Sequence, residues 1–336
     1  YYTTCGWMMW NWLVSSLSLG ATIVLYDGNP FFPNQDRLLE MASRRKINIF
    51  GTSAKYIDSL RLSGSKPGDR FNFDNLDSIL STGSPLNEEN FQFVYDHWKK
   101  SVQLSSISGG TDIISCFALG NPNLPVYQGD LQCLGLGMNV KSYDENGNSI
   151  ISEKGELVCE TPFPSMPIYF WGDKDGSKYH DAYFTKFNEK WTHGDYISIN
   201  QMGGVRIFGR SDATLNPGGV RIGTSEIYKV VEKIDGVLDS VAISKNIEGD
   251  EKILLFVKMS KQFDDKIDNL IKQSLRQECS PKHIPYKIFK VDDIPYTLNG
   301  KKIELAIKKT IDGDEVSNRS SIANPESLKN FENISI

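Results

Sequence analysis

Between residues 20 and about 120, short apolar runs alternate with segments of helical spacing. Residues 20–26 read as a strand closed by an Asp27-Gly28 turn. Residues 36–46 have the spacing of an amphipathic helix, and residues 47–50 form a short strand. Residues 76–80 and 102–107 read as further strands, with a helix over 87–99 between them. Such alternation predicts an α/β fold with a parallel sheet, whose strands offer ligands their carboxyl ends. From about 125 to 210 the pattern changes to short alternating strands separated by turns such as Glu145-Asn146-Gly147 and Met202-Gly203-Gly204. That predicts antiparallel hairpins in a barrel-like or distorted sheet. A smaller α+β unit follows. Thr224 is the expected N-cap of a helix with Ile227, Val230, Val231 and Ile234 on one face. Two strands and an amphipathic helix marked by Ile267, Leu270, Ile271 and Leu275 come next, and residues 313–336 read as a polar, loosely packed tail.

The first charged residue is Asp27, so an uncharged opening long enough for a bilayer has to be weighed. Asn11, Ser15, Ser16 and Ser18 interrupt it, and no basic segment precedes it as in a signal peptide. A buried helix feeding a buried strand explains the same residues. A net charge of −5 without a basic run disfavours nucleic acid as a partner. The five cysteines are scattered, with no metal-ligand spacing, which points to free thiols in a reducing compartment, by default the cytosol.

Four loops are richer in glycine and small polar residues than a hairpin needs. Ser108-Gly109-Gly110-Thr111-Asp112 ends an expected parallel strand. Its glycines allow close backbone approach, Thr111 and backbone N–H groups suit phosphate, and Asp112 suits Mg²⁺. The alternative is a plain glycine-rich turn. In His193-Gly194-Asp195, the carboxylate can accept both hydroxyls of a ribose or simply cap a turn. Arg210 and Arg221 lie in glycine-flanked stretches suited to oxyanions, or to an inter-domain linker. Lys301 follows Gly300 on a turn, as a mobile point charge or a solvated lysine. The loop Ser63-Gly64-Ser65-Lys66 lacks the order of a phosphate loop.

Taken in order, these stretches resemble the adenylate-forming superfamily, and within it the acetoacetyl-CoA synthetase branch. The stretches are Leu80-Ser81-Thr82-Gly83-Ser84-Pro85-Leu86, residues 106–115, Pro125-Val126-Tyr127, residues 209–217, residues 294–302 and Asn324-Pro325-Glu326-Ser327. The resemblance implies ligation of acetoacetate to CoA with ATP and Mg²⁺, through an acyl-adenylate. A sister synthetase for acetate or propionate and a non-catalytic nucleotide-binding chain are the competing readings. It further implies that Gly83, Ser84 and Pro85 line adenine and that Gly110 and Thr111 meet the nucleotide. Asp112 would help hold Mg²⁺, Asp195 and Arg210 would bind ribose, and Arg221 would face phosphate. Lys301 would stabilise charge in adenylation, and Asp212 would be the hinge of a small domain. Gly109 stands where acetyl-CoA synthetases carry a tryptophan, so it would leave room for the longer acyl chain. Ser108 replaces an aromatic and Asp112 a glutamate found in many members. The Ser/Thr/Gly/Lys-rich loop that grips pyrophosphate is missing from the chain. The expected organisation is therefore the carboxyl-terminal part of a large domain over 1–211 (α/β to 124, β-rich beyond), a small domain over 212–312, and the tail.

Overall fold

The computed structural model describes residues 1–334 except 212, 214, 216, 218, 219, 221, 248, 249, 298, 299, 317, 318 and 333. Two units emerge: residues 1–193 with 197–207, and residues 194–196 with 208 onward.

In the first unit, β1 (Ile49–Ser53), β2 (Ser78–Thr82) and β3 (Gln103–Ser106) form a parallel sheet in that order, with Phe50 opposite Ile79 and Ile79 opposite Leu104. Helices Arg37–Arg44, Ala54–Leu62 and Glu88–Phe93 bury Leu38, Leu39, Ile57, Leu60 and Phe91 against it. Ser53 and Asn87 start two of these helices by accepting the N–H groups of Tyr56 and Asn90. The helix expected over 87–99 continues as a wider π turn, Val94–Trp98, closed by the Lys99 N–H on Val94 O at 3.0 Å.

The strand expected at 20–26 does not form. The Tyr2 N–H, not this segment, bonds Gly51 O of β1 at 2.8 Å. No described strand pairs with residues 21–26, and Leu25 is 60% exposed. Apolar composition cannot make a strand without a partner for its backbone groups. The opening helix, Met8–Ser15, is likewise not buried throughout: only Met8 and Met9 are, against Ile107 and Cys116.

The β-rich region holds two open sheets and no closed barrel. β4 (Ser108–Gly110), β5 (Ser115–Leu119) and β6 (Cys133–Leu134) form an antiparallel meander. β7 (Val140–Tyr143), β8 (Ser149–Ile150), β9 (Gly155–Cys159), β10 (Trp191–Ile199) and β11 (Val205–Arg210) are ordered β11-β10-β9-β7-β8. Phe117, Leu157, Trp191 and Ile197 fill the core here.

In the second unit, β12 (Val237–Ile247) pairs antiparallel with β13 (Asp250–Met259), which pairs parallel with β14 (Lys287–Val291). β13 is buried on both faces. Ile253, Leu255 and Val257 join one core with helices Thr224–Val231 and Asp265–Glu278. Leu254 and Phe256 join a second core with Ile307 and Phe331. Thr224 is not the N-cap. Gly223 is, and its N–H is accepted by the Glu226 carboxylate at 2.7 Å, which frees the Thr224 hydroxyl to reach Glu304. Part of the stretch read as a loose tail is packed. The 3₁₀ helix Pro325–Phe331 buries Leu328, and Phe331 meets Phe256 edge-on at 5.0 Å between ring centres. Among the described residues, no helix is long and apolar enough to cross a membrane.

Candidate functional site

In the first unit, β2 and β3 deliver two of the expected loops side by side. The Thr82 hydroxyl donates to Ile107 O at 2.9 Å, and the Ile107 N–H to Ser81 O at 2.8 Å. Gly83-Ser84-Pro85 and Ser108–Asp112 therefore leave neighbouring carboxyl ends of a parallel sheet, where α/β folds hold ligands. Gly83 has φ +99°, a backbone state that other residues seldom adopt. Ser84, Pro85, Thr111 and Asp112 are exposed.

The two glycines of the second loop have different causes. A Cβ on Gly110 would come within 2.7 Å of His193 Cε1, so glycine here admits a buried imidazole. His193 is held by the Trp191 indole N–H on Nδ1 at 3.4 Å and by the edge of Phe117. A Cβ on Gly109 would lie 2.0 Å from Ser115 O and 2.7 Å from Cys116 Cα. The missing side chain thus faces the backbone of β5, not an open space. Close pairing of the β4–β5 hairpin is by itself a cause for glycine at this position.

Asp112 has a partner that the sequence did not suggest. Its Oδ2 accepts the hydroxyl of Tyr183, whose ring lies on Trp191 at 3.7 Å and 14°. The only hint in the chain was the helical pair Tyr179 and Tyr183. Among the described residues, no group of three or more His, Cys, Asp or Glu could hold a metal ion. One exposed carboxylate still fits Mg²⁺, which is commonly bound by one or two carboxylates together with substrate phosphates and water.

In the second unit, Asp195 is buried, and its Oδ1 lies 3.4 Å from Arg210 Nη1. Gly194, at φ +81°, leaves space for the guanidinium: a Cβ there would meet Arg210 Nη2 at 2.7 Å. Lys301 is presented by a turn in which Tyr296 and Lys302 bridge. The Thr297 N–H bonds Lys301 O at 2.8 Å, the Lys301 N–H bonds Thr297 Oγ1 at 3.0 Å, and Gly300 sits at φ +75°. Lys301 keeps solvent contact, yet its surroundings lower its pKa, mainly by desolvation. Asp195 pulls the pKa up and Arg210 pushes it down. Asp195, Arg210 and Lys301 thus share one electrostatic neighbourhood, able to accept a diol and to meet negative charge. Arg221 and Asp212 lie outside the described residues.

No family model matches the chain. It is 50% identical over 333 residues to an acetoacetyl-coenzyme A synthetase of Rhizobium meliloti (strain 1021), covering 98% of this chain and 51% of the relative. It is 48% identical over 338 residues to the acetoacetyl-CoA synthetase of Gallus gallus, covering 99% of this chain and 51% of the relative. The structure of acetoacetyl-CoA synthetase from Streptomyces lividans superposes with a TM-score of 0.91 at 42% identity, over 98% of this chain and 52% of that one. The anthranilate CoA ligase AuaEII shares the fold, with a TM-score of 0.68 at 19% identity over 84% of this chain and 53% of that one. The chain spans about half the length of the curated relatives it matches. Over that half, aligned along nearly all of its residues, this chain is similar to the acetoacetyl-CoA synthetases.

Proposed function

We propose that this chain serves the ATP-dependent ligation of acetoacetate to CoA. The observation that carries this reading is the 50% identity to the Rhizobium meliloti synthetase across 98% of the chain. In the first step a carboxylate oxygen of acetoacetate bonds to the α-phosphorus of ATP, the bond to the bridging oxygen breaks, and pyrophosphate leaves. In the second step the CoA sulfur bonds to the acyl carbon, AMP leaves, and the thiol proton passes to solvent.

Residue roles follow from chemistry. Gly83, Ser84 and Pro85 offer backbone and a small surface to adenine, and Gly110 and Thr111 offer close approach and a hydroxyl to the nucleotide. Asp112, oriented by Tyr183, is the carboxylate for Mg²⁺. When bound, that ion neutralises phosphate charge. Asp195 accepts the ribose hydroxyls, with Arg210 beside it. Lys301 meets the charge that develops on phosphate during adenylation. Arg221 on phosphate and Asp212 as the hinge of the small domain belong to the same proposal. The five free cysteines suit a reducing compartment such as the cytosol.

The test is acid-dependent exchange of pyrophosphate into ATP by the natural gene product, with acetoacetate, acetate and propionate compared. Acetoacetate is expected to be preferred. Lys301→Ala is expected to cripple exchange while largely sparing thioester formation from preformed acetoacetyl-adenylate. Equal loss in both steps would sink the role of Lys301. Nucleotide binding without exchange under any acid would make the chain a non-catalytic binder.

A further inference from the structure

The lysine after Lys301 is buried among charges, and no role in the reaction has been assigned to it. The Lys302 side chain is 16% exposed. Its ammonium contacts Glu232 Oε1 and Ser240 O, lies 3.1 Å from Asp239 Oδ1, and sits 3.9 Å from the centre of the Tyr228 ring. Burial pulls its pKa down, but Glu232 and then Asp239 outweigh that and raise it. The other oxygen of Asp239, Oδ2, accepts the hydroxyl of Tyr296. Tyr296 and Lys302 are the bridged pair at the base of the turn that carries Lys301. One buried carboxylate therefore grips both stems of that turn.

The grip reaches further. The Tyr228 hydroxyl donates to Glu304 Oε1 at 2.9 Å and accepts the Ala242 N–H at 3.1 Å. Glu304 opens the helix that follows the turn, Glu304–Asp312. The turn is so tied to β12 and, through Tyr228, to helix Thr224–Val231. Lys302 is drawn inward while its neighbour Lys301 keeps solvent contact. Buried ion clusters add little net stability, and their best-attested use is to fix one arrangement over its alternatives.

We infer that Asp239, Tyr296 and Lys302 form a clamp that positions Lys301, acting through the turn without touching substrate. This rests on the reading of Lys301 as the adenylation lysine. The test takes Tyr296→Phe, which removes one hydroxyl, and Lys302→Met, which removes the cation. Should Lys302→Met not fold, Tyr296→Phe decides alone. Two readouts are taken in the natural gene product. The first is the split between half-reactions. Exchange is expected to fall about tenfold or more, as for other small misplacements of a reacting group, with KM for ATP and the thioester half within about twofold. A general structural defect would depress both halves together. The second readout needs no activity: acylation of Lys301 by an amine reagent, followed by peptide mass spectrometry across pH and referenced to Lys178. A released turn lets Lys301 into water, away from Asp195 and Arg210, so its labelling midpoint is expected to move to higher pH. An unmoved midpoint in folded variants overturns the clamp, whatever Lys301 does in catalysis. A moved midpoint together with normal exchange in Lys301→Ala keeps the clamp and removes the catalytic reading of Lys301.

Discussion

Gly109→Ala is the substitution whose consequence can be worked out most fully. The new Cβ would stand 2.0 Å from Ser115 O and 2.7 Å from Cys116 Cα, where ordinary contact begins near 3.4 Å. Both obstacles are backbone of the paired strand, Cys116 in register opposite Gly109 and Ser115 opposite Gly110, so no side chain can rotate away. The strands would have to part by about 1.4 Å, far beyond the slack of a close-packed interior. β4 is three residues long, so parting it forfeits most of its pairing. Overpacking strain costs about 1–3 kcal/mol, and one or two lost hydrogen bonds cost about 0.5–1.5 kcal/mol each. Stiffening of the unfolded chain by alanine returns about 0.4–1 kcal/mol. Taking the middle of each range, the net expectation is a loss of about 2–3 kcal/mol, or a fall in Tm of about 4–12 °C for a unit of this size. All six tryptophans lie between residues 7 and 191, so urea unfolding followed by tryptophan fluorescence reads this unit alone. Gly6→Ala is the control, because nothing lies within 4 Å of its added Cβ. A Gly109→Ala protein within about 0.5 kcal/mol of the parent, the range of inert surface changes, would refute the hairpin account of this glycine. The same clash means that Gly109→Trp cannot serve as a clean test of chain-length preference.

Phe331→Ala is expected to cost about 3–5 kcal/mol, since Phe331 is fully buried against Phe256. Circular dichroism would record the loss as earlier unfolding of the second unit, and a cost under about 1 kcal/mol would mean that the segment is peripheral. The Lys302 cluster carries a pH signature. Its folded pKa is raised above the ordinary lysine value of 10.5, so its contribution is complete below that value and is lost as pH rises through the folded one. The stability difference between parent and Lys302→Met is therefore expected to stay flat from about pH 6 to 9 and to shrink only above that range. Urea midpoints measured across pH would contradict this if the difference closed below about pH 9.

Local pattern announced what local forces decide. The helix at Arg37–Arg44 and strands β1 to β3 lie within a few residues of their expected places, because spacing alone sorts their buried faces. Residues 20–26 have the composition of a strand, but pairing is a long-range matter, and Tyr2 takes the β1 edge instead. The closing segment averages out as polar, which hides two anchors, Leu328 and Phe331, whose burial depends on distant strands. Of the site, the loops were legible because glycine and charge cluster in them. Their partners were not: Tyr183 reaches Asp112 across 71 residues, and Tyr296 reaches Asp239 across 57. Neither distance leaves a mark on local periodicity.

The two-faced burial of β13 bears on the chain before it folds. Residues 253–257 read Ile-Leu-Leu-Phe-Val, all buried and without polar alternation. Such a run carries little information about its own register. In an unfolded or half-made molecule it has the makings of a cross-β segment, able to stack on copies of itself. Lys252 and Lys258 bracket it, and identical charges brought level in a stack repel. Flanking charges of this kind disfavour such stacking, and in the folded sheet the two lysines pair with Asp250 and Asp293.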